Sequence, residues 1–207
     1  ASLAVPNTLA NPKLTGGMRT EMEYGFEVRF LSNRLGLDFT FFDREDSNLP
    51  VAITAAGSTG YTGLNVNSKI TSSTGVEVML SGTPIQTDEV RWDVAVNFAT
   101  LEKTVDFIYE GIERNILQSW LSWSSMDLQE IVGEEWGMLY GRKRLKDDAG
   151  NWVLYNSGNH RYDNNQLLGN VMPDYTGGIT STLQYKNWDM AVGIDFQDGG
   201  LYHSVSD

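Results

Sequence analysis

The residues with the most chemical potential crowd into one stretch. Between positions 102 and 174 stand Trp120, Trp123, Trp136 and Trp152, with Tyr109, Tyr140, Tyr155 and Tyr162. Aromatic faces stack on the apolar faces of sugars and anchor protein interfaces, so Trp120, Trp123, Trp136, Tyr140 and Trp152 are candidates for contact with a ligand or partner. The same side chains would also serve as the small core that an insertion of this size needs. Asp147-Asp148-Ala149-Gly150-Asn151 lacks the regular Asp/Asn spacing and terminal Glu of an EF-hand calcium loop and reads as a hairpin turn between Leu145 and Trp152. Glu134 and Glu135 are adjacent, and adjacent residues of an extended strand face opposite ways, which argues against a paired-carboxylate acid/base site. His160 and His203 are the only histidines, and nothing resembles a nucleophile elbow. There is no Cys, so thiolate nucleophiles, disulfides and zinc–thiolate sites are excluded. No catalytic residue, metal ligand or cofactor is assigned.

The bulk numbers narrow the class further. The 27 acidic and 15 basic residues give a formal charge of −12, against a nucleic-acid partner, because phosphate binding needs clustered Lys and Arg. No apolar run reaches the roughly 18 residues of a membrane helix, and no signal-peptide pattern opens the chain. Frequent Gly and aromatics, with Gly-punctuated extended runs, point to an all-β protein.

The elements that must position these residues show in a period-two pattern. Six runs alternate. Tyr24, Phe26, Val28 and Phe30 are interleaved with Glu23, Glu27 and Arg29, and Leu35, Leu37, Phe39 and Phe41 with Asp38 and Thr40. Val76, Val78 and Leu80 flank Glu77 and Met79, while Val90, Trp92, Val94, Val96 and Phe98 flank Arg91, Asp93, Ala95 and Asn97. A weaker run carries Ile179, Leu183 and Tyr185, and the last carries Trp188, Met190, Val192, Ile194 and Phe196 against Asp189 and Asp195. Successive strand side chains point to opposite faces, so each run has one greasy and one polar face. A soluble antiparallel sheet shows the same alternation. Three features favour a membrane barrel: runs of about 9–11 residues, the length of a membrane strand, aromatics toward both ends of the greasy faces, as in an interfacial girdle, and connections that alternate between short and long. The expected strands are 22–31, 34–44, 74–82, 90–100, 176–186 and 188–197, antiparallel and in sequence order. Phe26, Val28, Leu37, Phe39, Val94, Val192 and Ile194 should face lipid. Glu27, Asp38, Asp93 and Asp195 should face the lumen.

Short joins at Ser32-Asn33, Thr83-Pro84 and Lys186-Asn187 alternate with long ones, and membrane barrels have short periplasmic turns and long extracellular loops. The chain therefore divides into barrel strands over 1–101, with one extracellular loop at about 45–70, an extracellular insertion over 102–174 containing a β-hairpin, and barrel strands over 175–207. The insertion is expected to pack around its own Trp and Tyr residues. Its hairpin is expected to run from Trp136–Lys146 through Asp148–Asn151 to Trp152–Tyr155. Six strands cannot close a barrel, whose smallest membrane form has about eight. The chain is expected to be one segment of a longer protein.

Particular motifs agree. Phe30-Leu31-Ser32-Asn33-Arg34-Leu35-Gly36-Leu37-Asp38, Thr74-Gly75-Val76-Glu77-Val78-Met79-Leu80-Ser81-Gly82-Thr83-Pro84-Ile85 and Trp92-Asp93-Val94, then Gly133-Glu134, Tyr140-Gly141, Leu168-Gly169-Asn170 and Pro173-Asp174-Tyr175-Thr176-Gly177-Gly178-Ile179 follow in order. Together they resemble the SusC/RagA family of TonB-linked outer-membrane proteins. The resemblance implies the later part of a barrel of about 22 strands with an N-terminal plug in its lumen. It also implies the outer membrane of a Gram-negative bacterium, lipid around the wall, and import of oligosaccharide or peptide. A SusD-like surface lipoprotein would act as lid, and TonB would be reached through an N-terminal part outside this sequence. The chain departs from the family pattern near Met18-Arg19-Thr20, where a Pro-Glu pair is usual, and near Asn67-Ser68-Lys69, where a Gly is usual. The rival reading is a soluble β-sandwich that binds glycan.

Overall fold

A computed structural model describes residues 7–120 and 126–202. Trp123 and His203 lie outside the described residues. The described chain is built from strands: β1 (Thr8–Leu9), β2 (Met18–Phe30), β3 (Leu35–Thr54), β4 (Gly63–Gln86), β5 (Val90–Phe107), β6 (Arg114–Trp120), β7 (Met126–Ile131), β8 (Met138–Arg144), β9 (Tyr162–Asn170), β10 (Pro173–Tyr185) and β11 (Trp188–Gly199), with one 3₁₀ turn at Gly57–Thr59. All six alternating runs are strands, and they pair antiparallel in the order β2-β3-β4-β5-β10-β11. The two-residue β1 lies parallel on β4 at Gly63 and Leu64, beyond the reach of β5, which pairs with β4 from Ile70 onward.

The register keeps one apolar face continuous across the sheet. Phe26 lies opposite Phe39, Phe39 opposite Val78, and Val78 opposite Phe98. On the far side Ile179 lies between Val96 and Ile194. Opposed residues of an antiparallel pair share a face, and a slip of one residue in any strand would invert its whole apolar set. The other face carries Glu27 opposite Asp38 and Asp38 opposite Met79, then Asn97 opposite Gly178 and Gly178 opposite Asp195.

The strands outrun the alternation. β3 has 20 residues, β4 24 and β5 18, so the expected loop over 45–70 is mostly a continued hairpin whose tip spans only 55–62. Residues 45–54 and 63–73 lose the clean greasy face, which is the signal that period-two reading detects, yet keep their ladder to the neighbouring strands. Pro50 and Pro84 stand inside these strands without a backbone N–H to donate, and each falls at a register shift, where a proline is tolerated. Thr83-Pro84 is therefore part of β4, and the short turn is 87–89 instead. Over Phe30–Leu35 the chain turns through three successive left-handed residues, Leu31, Ser32 and Asn33. The Arg34 guanidinium then binds the carbonyls of Thr83 (2.9 Å) and Pro84 (2.7 Å), tying this turn to the end of β4.

β6-β7-β8-β9 form a second antiparallel sheet. On the side away from β7, β8 pairs with β9, from Met138 opposite Asn170 to Arg144 opposite Tyr162. The expected second arm at Trp152–Tyr155 meets the first only at its end, through the Lys146–Trp152 bridge and the Val153–Leu145 backbone bond, because 145–161 folds into two consecutive tight turns, the second closed onto Leu145 by Arg161. The buried core differs from expectation too. Val51, Val105 and Ile108 form its centre, with Ile53, Val66, Tyr109, Ile112, Val132 and Trp136 packed around them. It is built jointly by the long ends of β3, β4 and β5 and by the insertion, whereas Trp152, Tyr155 and Tyr162 remain exposed.

Candidate functional site

The large sheet is a single layer with two chemically distinct faces. On the apolar face, Phe26, Leu80, Phe98, Trp188, Met190, Val192 and Ile194 are all exposed, Trp188 at 78%. Monomeric soluble proteins rarely leave contiguous apolar patches larger than a few hundred Å² open to water. No helix of the described chain is long and apolar enough to cross a membrane, a test that does not bear on strands.

The polar face carries short, local ion pairs. The Arg29 Nε donates to Glu27 (2.7 Å) and the Arg91 Nε to Asp93 (2.7 Å), each two residues along one strand and so on one face. Thr83 adds its hydroxyl to Asp93 at 2.7 Å. Asp38 and Asp195 are exposed on the same face. The four acidic residues expected at the lumen thus share one face, opposite Phe26, Val28, Leu37, Phe39, Val94, Val192 and Ile194. Near the long end of this face a recess of about 430 Å³ is lined by Glu21, Glu23, Phe42, Arg44 and Glu77, with the Arg44 guanidinium 5.2 Å from the Phe42 ring centre.

A buried polar knot fixes the insertion to the long strands. The Glu130 carboxylate, fully buried, accepts from Lys69 Nζ (2.8 Å), Trp136 Nε1 (3.0 Å) and Asn115 Nδ2 (3.3 Å). Burial pushes the nearby Lys103 ammonium below its ordinary value, and its Nζ lies 5.5 Å from the Trp136 ring centre. Backbone bonds from Val105 to Glu134 and from Trp136 to Lys103 complete the join. Glu134 and Glu135 are exposed, and Glu135 accepts from Asn170 at 2.8 Å. Two positions where the sequence departs from the motifs it resembles are anchors. Arg19 pairs with the buried Asp46 at 2.6 Å, and its hydrogen bond holds that carboxyl below the usual range. Asn67 binds Thr15 and Asn48.

The sequence-proposed aromatics are therefore dispersed. Trp136 belongs to the knot. Tyr140 is half-buried, with Arg114 4.8 Å from its ring centre. Trp120 ends β6. Trp152 alone among those described in full stands on an open surface. It is 47% exposed, with Lys146 4.4 Å and Arg144 5.9 Å from its ring centre and His160 edge-on at 5.8 Å. The basic residues beside it carried no motif, and only their clustering could have marked them. The turn that presents Trp152 is closed by Asp147, whose carboxylate accepts from the backbone N–H of Asn151 (2.8 Å) and of Ala149 (3.0 Å). Those bonds, Asn151's first, hold its carboxyl below the ordinary range. Among the described residues no group of three or more His, Asp or Glu is placed to hold a metal ion.

No protein-family model matches the chain, and no curated protein matches it significantly. Solved structures do match. A chain in the structure of the RagAB peptide transporter superposes with a TM-score of 0.68 at 16% identity, covering 90% of this chain and 22% of that one. The RagAB peptide importer in its "closed-closed" state gives 0.70 at 17% identity over 95% and 22%, and in its "open-open" state 0.67 at 15% over 92% and 21%. The chain spans about a fifth of the length of these neighbours (22%, 22% and 21%). At such identities the likeness establishes the fold: an antiparallel β-barrel segment, open at both edges, with an appended sheet.

Proposed function

We propose that the chain is a wall segment of a TonB-dependent importer in the outer membrane of a Gram-negative bacterium. The carrying observation is the register, which joins six greasy strand faces into one exposed surface while every expected lumen acid falls on the other. Lipid satisfies the first face. The second faces water, a plug or cargo. The short turns at 31–34, 87–89 and 186–187 lie on the periplasmic side, and the long hairpins with the β6–β9 sheet stand outside the cell. Further strands of the same protein cover the open edges of β2 and β11, since an unpaired edge in lipid costs several kcal/mol per backbone group. Cargo is a peptide or a glycan fragment. The peptide-transporter neighbours favour peptide. A SusD-like lipoprotein serves as lid over the outer end, and TonB supplies energy through the N-terminal part. The insertion, 102–174, is wholly extracellular, and Tyr140 and Trp152 are its candidate contacts with cargo or lid. Catalysis has no part in this reading.

A soluble β-sandwich would need a second sheet over the greasy face. Among the described residues that face stays open, and β6–β9 meets the large sheet at its long end through Thr104–Glu135. The test is electrophoretic. Full-length protein extracted in detergent should migrate faster unheated than boiled, as a folded barrel does. A detergent-free, soluble monomer with no heat shift would reject the assignment.

A further inference from the structure

The cations of this acidic chain are unevenly placed. Five of its 15 Lys and Arg residues, namely Arg142, Lys143, Arg144, Lys146 and Arg161, lie at the far end of the β8–β9 hairpin. Strand geometry sorts them. Lys143 lies opposite Asp163 on one face, while Arg144 lies opposite Tyr162 on the other, and Arg142, two residues before Arg144, joins that second face. Among the described residues none of the five has a carboxylate within ion-pair distance. The nearest acid in sequence, Asp147, is occupied by its own turn.

On that second face opens a cleft of about 570 Å³, lined by Arg142, Tyr155, Asn159, His160, Tyr162 and Asn164. The volume suits an amino-acid side chain or a sugar ring better than a bare ion. Tyr155 and Tyr162 are 56% and 45% exposed and offer ring faces. Arg161 sits 5.6 Å from the Tyr155 ring centre, which leaves Arg142 to address the cleft. The Nδ1 of His160 is buried and makes no hydrogen bond within the described chain. Two amides, a guanidinium fork and two aromatic faces around one opening recognise a planar anion attached to a ring or chain.

We infer that this cleft binds a carboxylate-bearing ligand, its carboxylate on Arg142 and its body against Tyr155 and Tyr162. The inference deepens the importer reading, since it makes the outer end a collection point for acidic cargo. An acidic molecule is repelled by a chain of net charge −12 and finds an attractive field only where cations cluster. The carboxylates could belong to acidic peptides or to uronate sugars, and the test separates them.

The full-length protein in detergent is titrated calorimetrically with four probes: the N-acetylated, C-amidated tripeptide Asp-Phe-Asp, its identically blocked neutral analogue Asn-Phe-Asn, trigalacturonate and neutral trigalactose. At least one acidic probe should bind at least tenfold tighter than its neutral counterpart, and added salt should weaken it. Arg142→Ala, and independently Arg161→Ala, should reduce that preference, with Arg142→Lys retaining part of it. Both residues are exposed, so heat-modifiable migration should be unchanged. Equal binding of acidic and neutral probes, a preference untouched by Arg142→Ala, or full displacement by equimolar inorganic phosphate would overturn the carboxylate assignment. Its failure is separable from that of the importer reading. Labelling of a Gly150→Cys variant from outside intact cells upholds the outer placement whatever the titrations give, and labelling only from the periplasm would sink both.

Discussion

Glu130 shows how a single residue can decide whether the insertion is held. A buried carboxylate with three donors is compensated, and removing it strands Lys69, itself only 15% exposed, without a counter-charge. Breaking a buried pair from one side typically costs about 3–5 kcal/mol. We expect Glu130→Ala to make residues 109–171 sensitive to added protease while the heat-modifiable band persists. Unchanged protease resistance would mean that the knot contributes little. Asp147 gives a prediction in pH. Its folded-state carboxyl lies below the ordinary value, so its contribution is present above the unfolded pKa and is lost as pH falls through the folded one. Amide exchange at Ala149 and Asn151 should therefore stay slow through the ordinary carboxylate range and quicken only below it. Asp147→Asn should remove that dependence. Quickening at the ordinary carboxylate pKa would show that the turn does not hold the charge. Neither role was legible in the sequence. Glu130 sits in a polar run, Asp127-Leu128-Gln129-Glu130, with nothing to mark it as buried, because its three partners are brought to it from β4, β6 and the turn before β8.

At the level of elements, the strands whose two faces differ in polarity were legible, and the rest were not. Phe26, Phe39, Val78 and Phe98 announce their shared face because a strand with one apolar and one polar face carries an apolar residue at every second position. The extensions of β3 and β4 past Arg44 and before Thr74 answer to no such selection, and period two fades there while the ladder continues. The β8–β9 pairing was hidden because Tyr162–Asn170 is largely polar, and the nearer Trp152–Tyr155 carries the stronger apolar signal. Two glycines test the packing of the large sheet with opposite signs. A Cβ on Gly75 would intrude on the Phe42 ring and the Thr100 carbonyl oxygen, whereas one on Gly193 would meet nothing within 4 Å. Gly75→Ala should cost about 1–3 kcal/mol, as overpacking does. Gly193→Ala should be neutral or gain up to about 0.5–1 kcal/mol from reduced backbone entropy. Unfolding in urea, followed by loss of the fast-migrating band, reads both. Equal effects would mean that Phe42 does not lie over Gly75.

For the whole molecule, the central claim is that the two faces of the six-stranded sheet meet different phases. β11 is the cleanest place to ask, because Trp188–Gly199 is exposed along its whole length and no neighbouring side chain settles the answer in advance. This chain has no native cysteine, so once any cysteine elsewhere in the full-length protein is replaced by serine, each position can be labelled singly. Spin labels placed one at a time at 189–196, in full-length protein reconstituted into lipid vesicles, report collisions with lipid-soluble oxygen and with a water-soluble nickel chelate. Labels at Met190, Val192, Ile194 and Phe196 should be relaxed by oxygen, and those at Asp189, Ala191, Gly193 and Asp195 by nickel, with the oxygen effect greatest near the strand centre. Uniform nickel access at all eight positions, or an alternation of the opposite phase, would contradict a membrane-facing wall.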